Sequence, residues 1–177
     1  MQILDRLIRA ETPARTDKLY FSPGSLPETL FYGAMAAKMK KEAVMLDGSL
    51  AEAHWLRGFA LVDLDRSDAA KGDLDRAVQL APLNSRYLAE RGEWYKNRRD
   101  WERSYADFDQ AVTAAGLSSG ERTGRDKARA LRGMAFARVE QDRLDDARKL
   151  LNQALAADPG NERTKADLAD LAARKKR

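Results

Sequence analysis

The sequence predicts an all-α protein built from stacked pairs of helices, and two observations support this prediction. The 177 residues include only two isoleucines and five valines, whereas alanine, leucine, arginine, glutamate and lysine fill the stretches between glycine, proline and asparagine. β-Branched residues favour strands, whereas the abundant residues favour helices. The sequence therefore contains very few residues that favour strands. In addition, residues 51–84 align without a gap on residues 85–118. A fixed period of this length is the signature of a repeat architecture.

Composition limits the classes of protein that this chain can represent. Hydrophobic residues make up 44% and charged residues 34% of the chain, which is too apolar for a disordered tail and too charged for a membrane bundle. No segment approaches the ~20 apolar residues of a membrane span. The sequence contains no cysteine, which excludes disulfides, thiolate metal sites, iron–sulfur clusters and cysteine nucleophiles. We therefore expect a soluble, folded protein.

The excess positive charge lies at the C-terminal end. Lysine plus arginine number 32 and aspartate plus glutamate 28, a net charge of +4, and the last four residues are all basic. The body before them is therefore neutral and has no long-range field to attract phosphates, so we expect no nucleic-acid partner. Asp5 and Arg6 interrupt the apolar N-terminal run, which lacks the apolar core of a signal peptide. We expect a cytoplasmic protein, or a periplasmic one if an export signal has been removed.

Residues 1–50 predict an N-terminal region that precedes the repeats. Residues 12–26 contain two prolines and a glycine and cannot form a regular helix. Residues 27–45 predict a helix, which we interpret as the second helix of a degenerate repeat. A short helix before the loop is expected to supply the missing face of that repeat, and its apolar residues at helical spacing are Ile3, Leu4, Leu7 and Ile8.

The repeated segments share a small residue that is followed 16 residues later by a bulky one. A third copy covers residues 126–160 and has two additional residues between these positions. The small residues are Gly58, Gly92 and Gly133, and the bulky ones are Leu74, Phe108 and Leu151. Residues 119–125 predict an insertion between the second and third copies. Residues 161–177 predict a capping helix with a basic tail, and its apolar stripe consists of Leu168, Leu171 and Ala172.

This pattern, closed by Pro82 and Pro159, resembles the tetratricopeptide repeat (TPR). The resemblance covers residues 51 to about 160 and implies a right-handed α-α superhelix with units at 51–84, 85–118 and 126–160. Its small residues let paired helices approach closely. Five positions depart from the family pattern: Arg57, Arg91 and Arg132 stand where the family often has leucine, Ser104 replaces the usual alanine, and Gly116 replaces the closing proline.

The resemblance also implies a function, that of a non-catalytic adaptor which binds a protein or peptide in its concave groove. We hypothesise that an apolar side chain of the partner contacts Trp55 and Phe59 and that an acidic portion follows the basic residues. The alternative is that the N-terminal helix covers both aromatic residues. The groove residues implied by the family pattern are Glu52, Trp55, Phe59, Val62, Arg86, Ala89, Glu93, Lys96, Asn97, Lys127, Ala130, Met134 and Arg138.

Side chains suited to catalysis or metal binding are scarce. His54 is the single histidine and is expected to have a structural role, since no second histidine or cysteine completes a metal site or a catalytic pair. The glycines lack the spacing of a phosphate loop. The sequence therefore predicts neither an enzyme nor a cofactor.

Two other functions can be weighed against this adaptor reading. The unassigned apolar residues of the first helix suggest a structural protein that dimerises through its N-terminal helices. Chaperone-binding members of the family hold a terminal carboxylate with basic and amide residues, but of those positions only Lys127 matches here. Glu90 occupies another of them and would repel the carboxylate. We therefore do not expect a chaperone carboxylate clamp.

Overall fold

Helices account for nearly all the regular structure in the computed structural model, which describes residues 1–12, 17–117 and 122–174. The elements are α1 (Gln2–Glu11), β1 (Leu19–Phe21), α2 (Leu26–Lys38), β2 (Ala43–Met45), α3 (Ser49–Asp63), α4 (Ser67–Leu80), α5 (Ser85–Asn97), α6 (Trp101–Gly116), α7 (Thr123–Glu140), α8 (Leu144–Ala157) and α9 (Glu162–Arg174). The prediction of an all-α protein is confirmed. The chain forms two units, Met1–Tyr87 and Leu88–Arg177, which are described separately below.

The helix predicted over residues 27–45 is shorter than expected. It ends at Lys38, and Lys40 follows in the left-handed conformation with φ 54°. Residues 43–45 then form a strand, which pairs in parallel with β1 so that Tyr20 lies opposite Val44. A sequence pattern cannot reveal a three-residue strand, because three residues are too short a stretch to show the apolar–polar alternation of a strand.

Two features hold α2 in place in the N-terminal unit. Ser25 caps the helix by accepting a hydrogen bond from the backbone N–H of Glu28, whose carboxylate accepts one from the N–H of Gly24 at 2.8 Å. Tyr32 is fully buried, and its ring stacks on that of Phe21 with centroids 4.9 Å apart. The hydroxyl of Tyr32 accepts a hydrogen bond from the N–H of Leu83 at 3.1 Å. These contacts join α2 to β1 and to the end of α4.

The first helix packs against α3. Ile8 is buried, and Arg57 donates a hydrogen bond to the Asp5 carboxylate at 2.8 Å. The sequence-based expectation pairs this helix with the one predicted over residues 27–45, whereas its main contacts are with α3. The assignment of residues 1–50 to a degenerate repeat stays a prediction.

The repeat period is visible at the end of the first helix of each pair. Asp65, Arg99 and Asp142 follow α3, α5 and α7, and each has a positive φ of 57° to 59°. The first two are 34 residues apart, as the alignment requires. The third is shifted by nine further residues, which equals the predicted seven-residue insertion plus the two additional residues in the third copy. Of the insertion, residues 119–121 lie outside the described residues, and α7 begins at Thr123.

Glycines allow close helix packing in the C-terminal unit. The ring of Phe108 in α6 lies against both Gly92 and Gly133. A Cβ atom at Gly133 would lie 2.4 Å from the ring, and one at Gly92 would lie 3.1 Å from it. Ser104, which replaces the usual alanine, is fully buried and donates a hydrogen bond to the carbonyl of Gly92 at 3.0 Å. This bond explains how the core accepts a hydroxyl at that position.

The last helix packs on α8. Leu171 is buried with Ala135, Ala147 and Leu151, and Leu168 packs against this cluster. Ala172, the third residue of the predicted stripe, is exposed. Residues 175–177 of the predicted basic tail lie outside the described residues.

Candidate functional site

The arginines that depart from the family pattern have a structural role. Arg57 and Arg91 each donate two hydrogen bonds, from Nε and from a terminal nitrogen, to the carboxylate of Asp73 or Asp107. In the third copy Leu150 replaces the aspartate. Arg132 donates instead to Asp167 of α9, at 2.5 Å. Each arginine therefore binds an aspartate of its own unit.

His54 belongs to the first of these networks. It is buried, and its Nδ1 lies 2.7 Å from Oδ1 of Asp73. Burial raises the pKa of Asp73, but the hydrogen bonds with His54 and Arg57 outweigh it and hold that pKa below its ordinary value. The hydrogen bond to Asp73 also raises the pKa of Arg57. These contacts explain the single histidine as a structural residue.

A cluster of aromatic side chains lies on the other side of α3. Trp55, Phe59 and Val62 follow one another at spacings of four and three residues, which places them on one face of the helix. Arg57, the contact to α1, lies two residues from both Trp55 and Phe59, so it points to a different side. Phe59 is 41% exposed, so the alternative that α1 covers it does not hold.

Trp55 contacts two residues of α5. The ring of Tyr87 stacks on it with centroids 5.8 Å apart, and the guanidinium carbon of Arg86 lies 4.4 Å from the Trp55 ring centroid. The ring of Phe59 is 6.1 Å away at an angle of 34°. We call these four residues, Trp55, Phe59, Arg86 and Tyr87, the aromatic site. All four belong to the N-terminal unit.

Two properties of the aromatic site bear on its chemistry. The indole N–H of Trp55 is buried and has no hydrogen-bond partner among the residues that the structure describes. Burial, followed by the charge of Glu52, raises the pKa of Tyr87 to about 12. The Tyr87 hydroxyl is therefore neutral at physiological pH. The side chain of Arg86 makes no ion pair with any residue that the structure describes, and its guanidinium lies over the Trp55 ring.

The remaining predicted groove residues differ in accessibility. In the N-terminal unit Glu52 is exposed and Val62 is half-buried. In the C-terminal unit Ala89, Ala130 and Met134 are buried, with at most 4% exposure. These three side chains are therefore not accessible to solvent, and their repeat positions alone did not reveal this burial.

Three of the polar groove residues of the C-terminal unit, Glu93, Lys96 and Arg138, have local partners. Lys96 forms an ion pair with Glu93, and its Nζ lies 5.1 Å from the Phe136 ring centroid. Arg138 stacks on Tyr105, with its guanidinium carbon 3.7 Å from the ring centroid. Asn97 is exposed and Lys127 is half-buried. In this unit the side chains of Lys96 and Arg138 therefore already form cation–π contacts.

Tyr87 and Phe136 were not among the predicted groove residues. Both are aromatic residues of the first helix in their repeat, but they stand outside the positions that the family pattern assigns to the groove. Their contacts with Trp55 and Lys96 join residues far apart in sequence. Only the packing of neighbouring helices could identify them.

Within the described ranges, no three acidic or histidine side chains gather as ligands for a metal ion. None of the described helices combines the length and the apolar character needed to cross a bilayer.

The helix pairs, the left-handed residues between them and the glycine contacts define the fold of a tetratricopeptide-repeat protein. The fold is similar to that of the first TPR domain of Spaghetti (RPAP3) bound to an HSP90 peptide, with a TM-score of 0.63 and 17% identity, over 75% of this chain and 98% of that one. It is also similar to PcrH in complex with the chaperone-binding region of PopD, with a TM-score of 0.62 and 18% identity, over 73% and 96%.

A third similar structure extends over almost the whole chain. It is that of Pseudomonas aeruginosa PilF, with a TM-score of 0.62 and 14% identity, and the match covers 99% of this chain and 70% of that one. No family model and no curated protein sequence matches this chain. At sequence identities of 14% to 18%, the similarity to these three structures shows the fold alone.

Proposed function

We propose that this chain is a non-catalytic adaptor that binds a peptide or a partner helix at the aromatic site. The observation that carries the proposal is the contact of Trp55 with both Arg86 and Tyr87 beside the exposed ring of Phe59. Interfaces draw most of their binding energy from such aromatic and arginine anchors. Two of the similar structures, those of Spaghetti and PcrH, contain a bound peptide or partner region, which supports the same kind of function here.

The chemistry of the site favours a partner with an apolar residue next to an acidic one. An apolar side chain would cover the exposed part of Phe59 and remove it from water. A guanidinium can stack on an aromatic ring and donate hydrogen bonds in its own plane at the same time. Arg86 is therefore suited to accept a carboxylate of the partner while it stays on Trp55.

Self-association through α1 receives less support. Ile8 is buried, and Leu4 and Leu7 are half-buried, so three of the four apolar residues of α1 already have an environment inside the unit. Ile3 alone among them is largely exposed, at 81%. A single exposed side chain is too small a surface for a stable dimer.

Photo-crosslinking tests the site directly. A benzophenone amino acid at position 59 should capture a discrete partner in the native host, whereas the same group at Leu117, which is 60% exposed in the other unit, should not. Arg86→Glu should abolish the capture, and the matched charge reversal Arg148→Glu on α8 should preserve it. Circular dichroism should show unchanged helicity in both variants. Equal capture from positions 59 and 117, or capture that survives Arg86→Glu, would refute the assignment.

A further inference from the structure

Helix α2 exposes an apolar face. Seven of its thirteen residues are exposed, and six of those seven are apolar: Leu26, Pro27, Leu30, Phe31, Ala34 and Ala37. Leu26 is 71% and Leu30 is 67% exposed. An ordinary surface helix has the opposite arrangement. In α8, for example, five of six exposed residues are polar.

The apolar residues form one continuous surface. Leu26, Leu30, Ala34 and Ala37 follow at spacings of four, four and three residues, so they lie along one side of α2. The opposite side carries the buried Tyr32 and Ala36, which pack in a cluster with Phe21. Glu28, the one acidic residue of α2, is engaged in the N-terminal cap. The exposed side therefore carries no acidic group.

A cluster of lysines borders this face at its C-terminal end. Lys38, Lys40 and Lys41 are all exposed, and none forms an ion pair with a residue that the structure describes. Lys38 lies seven residues after Phe31 and hence on the same side of the helix. Met39, between these lysines, is 52% exposed. Three of the eleven lysines of the chain thus fall within four residues.

We propose that the exposed face of α2 and these lysines form a docking surface for an anionic lipid bilayer. The leucine and phenylalanine side chains insert at the boundary between headgroups and acyl chains, and the lysines contact lipid phosphates. Apolar residues on one face combined with lysines at its border are the features of helices that lie in the plane of a membrane interface. This surface shares no residue with the aromatic site, so the proposal does not depend on the adaptor function.

Size and composition favour a bilayer over a second copy or another protein. A thirteen-residue helix is about 20 Å long and about 10 Å wide, so one face covers about 200 Å². A stable protein interface buries ~800 Å² per partner, which is far more. Protein interfaces are also depleted in lysine and contain about one hydrogen bond per 100–200 Å². The six apolar residues offer no side-chain hydrogen bond, and a bilayer requires none.

Sedimentation with vesicles tests the proposal. The full chain should bind vesicles of equal parts phosphatidylglycerol and phosphatidylcholine, and it should bind much more weakly to pure phosphatidylcholine or at high salt. The variant Lys38→Gln/Lys40→Gln/Lys41→Gln should lose roughly 100-fold in affinity, about fivefold per lysine. The matched control Arg148→Gln/Lys149→Gln/Lys165→Gln loses the same charge from α8 and α9 and should bind as the wild type does.

The apolar contribution has its own matched pair. Leu26→Gln/Leu30→Gln should weaken vesicle binding at least about tenfold, whereas Leu64→Gln/Leu117→Gln, which replaces two other exposed leucines, should not. Circular dichroism should be unchanged in every variant. Absence of binding by the wild type, or equal losses in a variant and its control, would overturn the proposal. So would a wild-type dimer in light scattering that Leu26→Gln/Leu30→Gln dissociates, since a second copy would then cover the face.

Discussion

Arg91 and Asp107 form a two-pronged ion pair across one helix pair, with both N···O distances at 2.8 Å. Arg57 and Asp73 repeat this arrangement one period earlier, with both distances at 2.7 Å. In each case the aspartate is buried, so its charge depends on the arginine for compensation. The repeat thus uses a polar contact where the family often has leucine.

Removing one partner of this ion pair should be costly. We expect Asp107→Ala to lower the free energy of unfolding by about 3–5 kcal/mol, because it removes the buried carboxylate that accepts two hydrogen bonds from Arg91. The double replacement Arg91→Leu/Asp107→Leu should recover most of this loss. Glu162→Ala, which removes an exposed ion pair with Lys165, should change stability by less than about 1 kcal/mol. Urea unfolding followed by circular dichroism measures all three, and a double variant as unstable as Asp107→Ala would contradict the expectation.

The lowered pKa of Asp73 predicts the direction of acid destabilisation. A carboxylate whose pKa is lower in the folded than in the unfolded chain stabilises the fold above its unfolded pKa, near 3.8. This contribution is lost as the pH falls through the lower, folded pKa. Wild-type stability should therefore decline as the pH drops below about 5.

Stability measured from pH 7 to pH 3 tests this assignment. Asp73→Asn should be less stable at pH 7 and should show a shallower acid decline than the wild type. Asp170→Asn, at an exposed position on α9, should leave the profile unchanged. Parallel profiles for the wild type and Asp73→Asn would show that Asp73 does not contribute to the acid transition.

Gly133 is required by the position of the Phe108 ring. Gly133→Ala should destabilise the C-terminal unit by about 1–3 kcal/mol, because the added methyl group would lie 2.4 Å from that ring. Gly92→Ala should cost less, since its Cβ would lie 3.1 Å away. Gly72→Ala in α4 has open space around it and should stabilise by about 0.5–1 kcal/mol. Thermal unfolding ranks the three, and a stable Gly133→Ala would be inconsistent with the packing.

The Tyr32 hydroxyl joins α2 to the end of α4. Tyr32→Phe should lower the free energy of unfolding by about 1–3 kcal/mol, because it leaves the N–H of Leu83 without its acceptor in a partly buried place. Hydrogen exchange at the amide of Leu83 should accelerate in this variant, while the amide of Leu151 in the other unit serves as the control. Unchanged exchange at Leu83 would mean that the bond does not protect it.

The sequence predicted the repeats well and the N-terminal region only in part. Three glycines and their bulky counterparts recur at a period set by helix packing, and that period is visible without a structure because each copy repeats the same local requirement. The strands at 19–21 and 43–45 left no such pattern. Their pairing joins residues 24 positions apart, such as Leu19 and Ala43, and the ring of Phe21 in β1 stacks on Tyr32 of α2.

The candidate site shows the same division. Trp55 and Phe59 were predicted as groove residues from their repeat positions, Tyr87 was not, and Ala89, Ala130 and Met134 are buried. The repeat position specifies which side of a helix a residue occupies, whereas its exposure depends on the neighbouring helix. The pairing of Arg132 with Asp167 is a further case, since α9 supplies the carboxylate that the third repeat lacks.

The amino-acid sequence by itself determined the helical class of this protein, its period and the small residues at which helices meet, because propensity and close packing act on residues near one another in the chain. The tertiary structure decided which arginine finds which aspartate, which aromatic rings surround Trp55, and that α2 turns its apolar face outward. These depend on contacts between residues distant in sequence, and only the assembled helices bring such residues together.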